Sequence, residues 1–524
     1  MKLGTMFIAV LCLSGMLFAQ GTDTEIATVD DHNGWGWQSI VMQNGLVTVA
    51  TVPAIGARVM QYDLGEHASI FVNPSEIGET HEPDQGTWFN YGGYKVWPAP
   101  QDRWGWPPPA QIDAAAWSSE IVDDTADSVA LYVKSPKETW SKTRNISMER
   151  RTVMYKNSSR VKVEQSIINE GSQEVSWSVW DVTQSIVHHK NERDFENFWV
   201  YFPIRTDGSS LFGDDGVKTS KDSDAWVGEV APSVYGVQFE PDGAKIFADS
   251  PEGWIAYVDE REGYAYCKVF EIWEGQEYPD GGACNEVWIS GNPLYLEVEV
   301  LSPIWPIAPN GGKITFVEDW YAAKANGPVV HVNHAGLMEI DLGFDAATGN
   351  VYGLYGIFHV GTSKMVALDA SGTVVAEGQT YDVSPMQKLE IDEAFELPAE
   401  TAMVEVRVFD AAGAVVGAVD RVPADKVTGV DHRLAVPTGF TIQQNYPNPF
   451  NPTTTLELFL KRSQHVRVDI YNVNGERVDT VADTFMARGT HTLSWNAASL
   501  PAGVYMASVE TASQRSVVKM MLLK

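Results

Sequence analysis

Residues 296–300 read Leu296-Glu297-Val298-Glu299-Val300, an alternation of apolar and acidic side chains with a period of two. In an extended chain this period sends successive side chains to opposite faces, so the pattern predicts a β-strand. Similar alternation recurs at residues 161–165 and 177–180. Short runs of this kind, separated by Gly, Pro, Asn and Asp, predict an all-β protein built from sandwiches.

The length of 524 residues exceeds one ordinary domain, and breaks in the strand pattern predict three. The first, residues 22–324, is long enough for a large β-sandwich. A short linker separates it from a small immunoglobulin-like sandwich at residues 329–422. A polar linker at residues 423–436 then leads to a second small sandwich at residues 437–524.

The first twenty residues combine Lys2 with an apolar run from Met6 to Phe18, which predicts a signal peptide at residues 1–19. The formal net charge of −32 argues against nucleic acid as a partner, because phosphates would be repelled. It argues equally against an anionic membrane surface. No later stretch is apolar enough for a membrane helix, so we expect no membrane insertion of the mature chain.

Two cysteines, Cys267 and Cys284, follow the predicted leader. They lie in two strand-like runs joined by a turn-rich segment. A hairpin would bring them together, and export would permit a disulfide. The alternative is two buried free thiols, and the sequence leaves both possibilities open because strand register is not fixed by it.

Residues 445–454 read Asn445-Tyr446-Pro447-Asn448-Pro449-Phe450-Asn451-Pro452-Thr453-Thr454. The prolines fix φ and remove main-chain donors, which predicts an extended entry rather than a central strand. With Val468-Asp469-Ile470-Tyr471-Asn472-Val473-Asn474-Gly475 and Leu500-Pro501-Ala502-Gly503-Val504-Tyr505, this segment resembles the C-terminal sorting domain of the type IX secretion system. The resemblance implies recognition by the translocon of that system, and export through the periplasm to the cell surface or the medium.

Residues 90–109 are crowded with prolines and tryptophans, and this composition predicts a stiff surface loop rather than a central strand. Aromatic faces can stack on sugars, and neighbouring polar groups can bind the hydroxyls. The candidate ligand-binding residues of this segment are Lys95, Trp97, Gln101, Asp102 and Trp104. The alternative is that the tryptophans are buried as packing over the end of a sandwich.

Within that segment, Gly92-Gly93-Tyr94-Lys95-Val96-Trp97-Pro98-Ala99-Pro100-Gln101 is similar to a "GG-x-K/R-x-W-x-AP" loop of uncharacterised members of the galactose-mutarotase-like superfamily. Residues 177–184 and 295–303 continue the resemblance in the same order. It implies a large β-supersandwich with a sugar-sized cleft on one face.

In that superfamily a Glu serves as general base and a His as general acid. Glu297 matches the Glu, and Glu299 would lie on the same strand face, roughly 7 Å away. The alternative is that both are only the solvent-facing side of a strand. Trp180 and Asp181 stand where the His is expected, so whether the protein is an enzyme stays open. Further ligand-binding candidates are Arg58, Trp180, Thr183, Gln184 and Glu286.

The sequence contains no Gly-rich phosphate loop, serine elbow or metal-spaced histidine pair. His188 and His189 are adjacent, which on a strand directs them to opposite faces. We therefore predict no cofactor and no metal. The predicted function is a secreted carbohydrate-binding or carbohydrate-active protein, the alternative being a non-catalytic structural protein of the cell surface.

Overall fold

The computed structural model describes residues 23–189, 195–345, 348–427, 440–460, 464–473, 475–486, 489–511 and 515–523. The predicted signal peptide lies outside these residues, and so does most of the linker predicted at residues 423–436. No helix in the described part of the chain is long and apolar enough to cross a membrane.

Twenty-two strands lie between residues 25 and 323, with a single four-residue α-helix, α1 (Ala110–Asp113), among the described residues of this region. The strands are β1 (Glu25–Val29), β2 (Ser39–Gln43), β3 (Val47–Val52), β4 (Arg58–Leu64), β5 (His67–Ala68), β6 (Tyr94–Ala99), β7 (Ser118–Asp124), β8 (Ser128–Lys134), β9 (Ile146–Tyr155), β10 (Val161–Asn169), β11 (Val175–Ser185), β12 (Phe198–Pro203), β13 (Val217–Thr219), β14 (Trp226–Ala231), β15 (Val234–Gln238), β16 (Lys245–Ala248), β17 (Trp254–Asp259), β18 (Tyr264–Phe270), β19 (Asn285–Gly291), β20 (Leu294–Leu301), β21 (Trp305–Ile307) and β22 (Gly312–Ala323).

These strands form two large antiparallel sheets. The 12-stranded sheet has the order β1-β2-β3-β4-β6-β11-β20-β19-β16-β13, with β5 added to β4 and β21 added to β11. The 10-stranded sheet has the order β14-β15-β12-β17-β18-β22-β10-β9-β8-β7. The predicted all-β class is confirmed, and the alternating segments 161–165, 177–180 and 296–300 lie within β10, β11 and β20.

The two sheets meet through one continuous apolar core. Trp320 of β22 is fully buried and makes edge-to-face contacts with Tyr94 of β6, at 4.7 Å between ring centroids, and with Tyr266 of β18, at 5.8 Å. Edge-to-face pairs of buried rings each add about 0.5–1.5 kcal/mol beyond the burial of their area. This aromatic group therefore fixes how β6 faces the second sheet.

A buried ion pair also bridges the sheets. Lys268 of β18 donates to Asp181 of β11 and, at 2.9 Å, to the main-chain oxygen of Val298 in β20. Both side chains of the ion pair are fully buried. Glu318 of β22 belongs to the same group, because burial and the nearby Asp181 raise the pKa of its carboxyl well above the ordinary value.

The prediction that residues 90–109 form only a surface loop is wrong, because β6 is an interior strand between β4 and β11. Its position tolerates Pro98 for a local reason. The Pro98 carbonyl accepts a hydrogen bond from the Trp104 indole at 2.7 Å, so the main-chain polar groups of Pro98 face away from β11. On that side β6 pairs with β4 only at Tyr94, and the missing N–H interrupts no ladder.

Two further pairs of sheets follow in the chain. One pair has the orders β23-β24-β25-β28 and β27-β26-β29-β30, and the other β31-β32-β35 and β34-β33-β36-β37. Their strands are β23 (His331–Val332), β24 (Gly336–Asp345), β25 (Asn350–Ile357), β26 (Gly361–Asp369), β27 (Val374–Val383), β28 (Lys388–Glu393), β29 (Thr401–Asp410), β30 (Val415–Pro423), β31 (Phe440–Ile442), β32 (Thr453–Leu460), β33 (Gln464–Asn472), β34 (Arg477–Met486), β35 (Gly489–Asn496), β36 (Gly503–Glu510) and β37 (Arg515–Leu522).

The proline-rich segment before β32 is held against the last strand. Phe450 donates its main-chain N–H to Met521 at 2.9 Å and accepts from Leu523 at 2.8 Å. Its ring is buried beside Trp495, at 5.5 Å between centroids. The segment is therefore extended, leads into the last pair of sheets, and is hydrogen-bonded to the end of β37.

The two cysteines are buried free thiols. Cys267 lies in β18 of the 10-stranded sheet, whereas Cys284 directly precedes β19 of the 12-stranded sheet. The hairpin that would join them is absent because the two runs belong to different sheets. Burial raises the pKa of Cys284 to about 12 and raises that of Cys267 further.

We expect both thiols to resist iodoacetamide in the native protein, since alkylation needs an accessible thiolate. Both should be labelled after unfolding in denaturant. Peptide mass spectrometry would locate the label. Native labelling at the rate found in denaturant would contradict the buried assignment.

Replacing Lys268 with Met leaves Asp181 buried without its direct cation, which should lower the free energy of unfolding by about 3–5 kcal/mol. The matched control is Lys313→Met, because Lys313 is exposed and pairs with Glu149 at the surface. That change should cost less than about 1 kcal/mol. Urea unfolding followed by tryptophan fluorescence compares the two variants. Equal losses of unfolding free energy would show that the buried ion pair contributes no more than the surface pair.

Candidate functional site

One face of the 12-stranded sheet collects most of the predicted site residues. We call it the outer face, since it points away from the 10-stranded sheet. Strand register places Trp97 opposite Trp180, and Gln184 opposite Glu297. The outer face carries Lys95 and Trp97 of β6, Trp180 and Gln184 of β11, Glu297 and Glu299 of β20, Glu286 of β19 and Lys245 of β16.

Glu297 is the partly accessible carboxylate of this face. Its Oε1 accepts hydrogen bonds from Lys95 Nζ and from Gln184 Nε2, both at 3.0 Å. The Glu297 side chain is 12% exposed, whereas that of Lys95 is 2% exposed. Burial lowers the pKa of Lys95, and the adjacent Glu297 opposes that shift. The carboxylate is thus held in one orientation by two donors that lie beneath the surface.

Glu299 lies deeper and is bound differently. Its Oε2 accepts from the Trp180 indole at 2.6 Å and from Lys245 Nζ at 2.9 Å. Lys245 also contacts Glu286 at 2.6 Å, and both carboxylates are fully buried. Burial raises the pKa of Glu286 and of Glu299, although Lys245 opposes the shift. One lysine therefore contacts two buried acids, and its single positive charge offsets only part of their negative charge.

The aromatic side chains form a continuous group that reaches the surface. Trp97 is edge-on to Trp180 at 5.3 Å, to Trp104 at 6.2 Å and to Trp106 at 6.3 Å. Trp97 and Trp104 are buried, while Trp106 is 55% exposed and touches Trp88. Most of the tryptophan surface is therefore packing, and Trp106 offers the open ring face.

Arg58 is fully buried and serves to position its neighbours. It pairs with Asp113 of α1 at 2.7 Å, and the same Asp113 oxygen accepts from the Trp97 indole at 2.8 Å. Arg58 also donates to the Gly92 carbonyl at 3.1 Å. Trp97 is consequently fixed at both its ring and its indole N–H.

Three predicted residues lie away from this group. Thr183 lies on the face of β11 opposite to Trp180. Its side chain points towards the second sheet, as that of Asp181 does. Gln101 is half-buried and donates to the Gly105 carbonyl at 3.4 Å. Asp102 is exposed and lines a separate cleft of about 510 Å³ with Arg103, Leu211 and residues 276–282.

Lys245, Trp288 and Asp113 were missed by the sequence analysis. Trp288 is half-buried and lies opposite both Glu297 and Lys245 in the strand register. Alternation along residues 285–290 would have placed Trp288 on the face of Glu286. No local signal marks Lys245, because its role depends on β16 pairing with β19.

Replacing Lys245 with Met leaves Glu286 and Glu299 without their cation and should destabilise the protein by about 3–5 kcal/mol near neutral pH. Burial raises both carboxyl pKa values above the unfolded value of 4.5, so the folded state binds protons more tightly than the unfolded state. The free energy of unfolding therefore falls as pH rises from 4.5 towards the raised pKa values of the folded protein, and it falls more steeply in Lys245→Met.

The stability difference between Lys245→Met and wild type should therefore shrink as pH is lowered from about 8 to about 5. Thermal unfolding at several pH values measures it. Lys218→Met is the matched control, because Lys218 is exposed on the neighbouring β13. A pH-independent loss in Lys245→Met would contradict the assigned charges.

Comparison with solved structures finds proteins of low sequence identity. The chain is similar to a galactose mutarotase-like protein from Clostridium acetobutylicum, with 11% identity, a TM-score of 0.38, and coverage of 58% of this chain and 99% of the other. A galactose mutarotase related enzyme from Lactobacillus acidophilus gives 11% identity, a TM-score of 0.35, and coverage of 56% and 99%. A protein from Synechocystis sp. PCC 6803 gives 11% identity, a TM-score of 0.38, and coverage of 60% and 100%.

No curated protein matches the sequence. A family model described as "Secretion system C-terminal sorting domain" matches residues 444–524. The match contains strands β32 to β37 and the proline-rich entry at residues 445–454, which is one of the segments on which the resemblance was based. Residues 444–524 are therefore a type IX secretion system C-terminal sorting domain, which indicates export to the cell surface or release from the cell.

Proposed function

We propose that the protein binds carbohydrate on the outer face of the 12-stranded sheet, with Glu297 as the principal acceptor for sugar hydroxyls. The supporting observation is the state of the Glu297 carboxylate. Both donors within the protein bond to Oε1, and among the described residues none bonds to Oε2. An oriented, partly exposed carboxylate oxygen is suited to charge-assisted hydrogen bonds from hydroxyl groups.

The surroundings of Glu297 supply apolar surface beside this acceptor. Trp288 lies opposite Glu297 on β19 and is half-buried, and Trp106 presents an open ring at the end of the tryptophan group. Binding sites of small polar ligands commonly combine aromatic walls with a few placed polar groups. A pyranose has this composition, since it carries hydroxyls at its edge and C–H groups on its faces.

The site is rigid before any ligand arrives. Lys95 Nζ lies 5.1 Å from the Trp97 ring centroid and binds Glu297, while Arg58 and Asp113 hold Trp97 from below. A preorganised site loses little conformational freedom on binding, which favours affinity. The same rigidity supports binding to a defined glycan rather than nonspecific adhesion.

Binding is favoured over epimerisation by the identity of residue 180. The resemblance to mutarotases predicts an acid imidazole at this point of β11, and the chain has Trp180 there, whose indole N–H is committed to Glu299. An epimerase would need both a general base and a general acid. Polarimetry separates the two functions, because a pure binding protein leaves the mutarotation rate of a bound sugar unchanged.

For the glycan that binds most tightly on an array, we expect Glu297→Gln to weaken binding about tenfold or more, since loss of charge removes about 1.4 kcal/mol or more from the hydroxyl contacts. Isothermal titration calorimetry on the full chain measures the change. Glu120→Gln is the matched control, because Glu120 is exposed on β7 of the other sheet and should leave affinity unchanged.

Trp106→Ala tests the aromatic contribution in the same assay, and we expect weaker binding without loss of folding because Trp106 is largely exposed. Equal affinity in Glu297→Gln and Glu120→Gln would remove Glu297 from the site. A wild-type protein that binds no glycan would instead support a non-catalytic structural role at the cell surface.

A further inference from the structure

A second group of polar side chains lies where the two large sheets approach each other at the end of β11. It contains His67 of β5, His189 just after β11, Asp259 at the end of β17, and Glu262 in the turn that leads to β18. His67 and Asp259 are buried, His189 is 13% exposed and Glu262 is half-exposed. None of these residues belongs to the outer-face site.

The polar atoms of the four side chains are gathered around the Asp259 carboxylate. The Nε2 atoms of His67 and His189 lie 2.9 and 2.7 Å from the same Asp259 oxygen, Oδ2. They lie 3.9 and 3.6 Å from the two carboxylate oxygens of Glu262. The ligand atoms of His67, Asp259 and Glu262 are all within 4.8 Å of one another.

These separations are in the range found between ligands of one metal ion. Nitrogen and oxygen ligands at about 2.0–2.2 Å from Zn²⁺ are separated from one another by about 3.4 Å. The four measured distances, from 2.7 to 3.9 Å, bracket that value.

The surrounding structure orients the ligands. The second oxygen of Asp259, Oδ1, accepts the main-chain N–H of Glu262 at 3.1 Å, so Oδ2 is left to face the imidazoles. The His67 ring stacks on Tyr264 at 4.0 Å between centroids with an interplanar angle of 14°. The His189 ring packs beside Phe198 at 5.1 Å. Such support is what holds ligands in place in metal sites.

The geometry points to a binding site for a divalent transition-metal ion, Zn²⁺ by preference, formed by His67 Nε2, His189 Nε2, Asp259 and Glu262. Two imidazoles exclude Ca²⁺ and Mg²⁺ as preferred ions, because those cations select oxygen ligands. Two carboxylates and two neutral imidazoles balance the charge of the ion. With all four side chains as ligands no coordination position would stay open, which is typical of a structural rather than a catalytic site.

The ion would join the two sheets. His67 and His189 extend from the 12-stranded sheet, whereas Asp259 and Glu262 belong to the β17–β18 hairpin of the 10-stranded sheet. The expectation from sequence that His188 and His189 do not share an ion is compatible with this site. The partner of His189 is His67, which lies far away in the chain.

The test uses the full chain without added histidine tags, freed of metal with a chelator and titrated with ZnCl₂ in a calorimeter. We expect one equivalent of Zn²⁺ to bind wild type, to raise its Tm, and to be replaceable by Co²⁺ with the visible absorption of a tetrahedral complex. His67→Gln and His189→Gln should abolish the absorption. CaCl₂ should leave the Tm unchanged.

The matched control is His188→Gln, which removes the exposed neighbouring imidazole and should bind Zn²⁺ like wild type. Glu262→Gln is the second variant in case a histidine variant fails to fold, because Glu262 is half-exposed. We expect the Zn²⁺ affinity of Glu262→Gln to be about tenfold or more below that of wild type. The proposal is overturned if wild type takes up no Zn²⁺, if Ca²⁺ stabilises it instead, or if His188→Gln loses binding as much as His67→Gln. These results do not depend on glycan binding.

Discussion

Strand β11 is buried on both faces from Trp177 to Ser185, and this burial favours partners inside the protein for its charged and amide side chains. On the inner face Asp181 pairs with Lys268 of the second sheet. On the outer face Trp180 donates to Glu299 and Gln184 donates to Glu297. A shift of register by one residue would exchange the two sets of side chains and leave charges unpaired in the interior.

The same constraint fixes the neighbouring strands. β20 can pair with β11 only where Glu297 and Glu299 meet their donors, and β16 must then bring Lys245 to the two deepest carboxylates. An unpaired buried charge costs far more than a surface ion pair returns. The polar groups therefore select the arrangement of strands, while the apolar core supplies most of its stability.

Local features were predictable from the sequence because they follow from the backbone. Alternation with period two located β10, β11 and β20 and put Glu297 and Glu299 on one face, as the strand register shows. The motifs at residues 445–454, 468–475 and 500–505 identified the sorting domain by resemblance, and the prolines of the first motif restrict the chain wherever they occur. Such signals need no knowledge of which strand pairs with which.

Features that depend on pairing between distant strands were not predictable. Pro98 predicted that its segment is not a central strand. β6 accepts this proline because, after Tyr94, the side of β6 that faces β4 is unpaired. Lys245 carries no local sign of its two carboxylate partners. The sequence left open whether Cys267 and Cys284 pair or stay free, because it does not show that the runs around them belong to different sheets. His67 and His189 are separated by six strands and are brought together by Asp259 and Glu262.

The end of β11 connects the two proposed sites. Phe71 donates its main-chain N–H to Gln184 at 2.8 Å, and Ile186 donates to Ser69 at 3.2 Å, so the segment after β5 is bonded to the strand that supplies Gln184. Phe71 also packs against Tyr295, two residues before Glu297. An ion that fixes His67 to His189 would close this segment against β11 from its open end. The ion would then support the orientation of the Glu297 carboxylate without contacting the glycan. An exported protein would keep this link between the sheets without a disulfide.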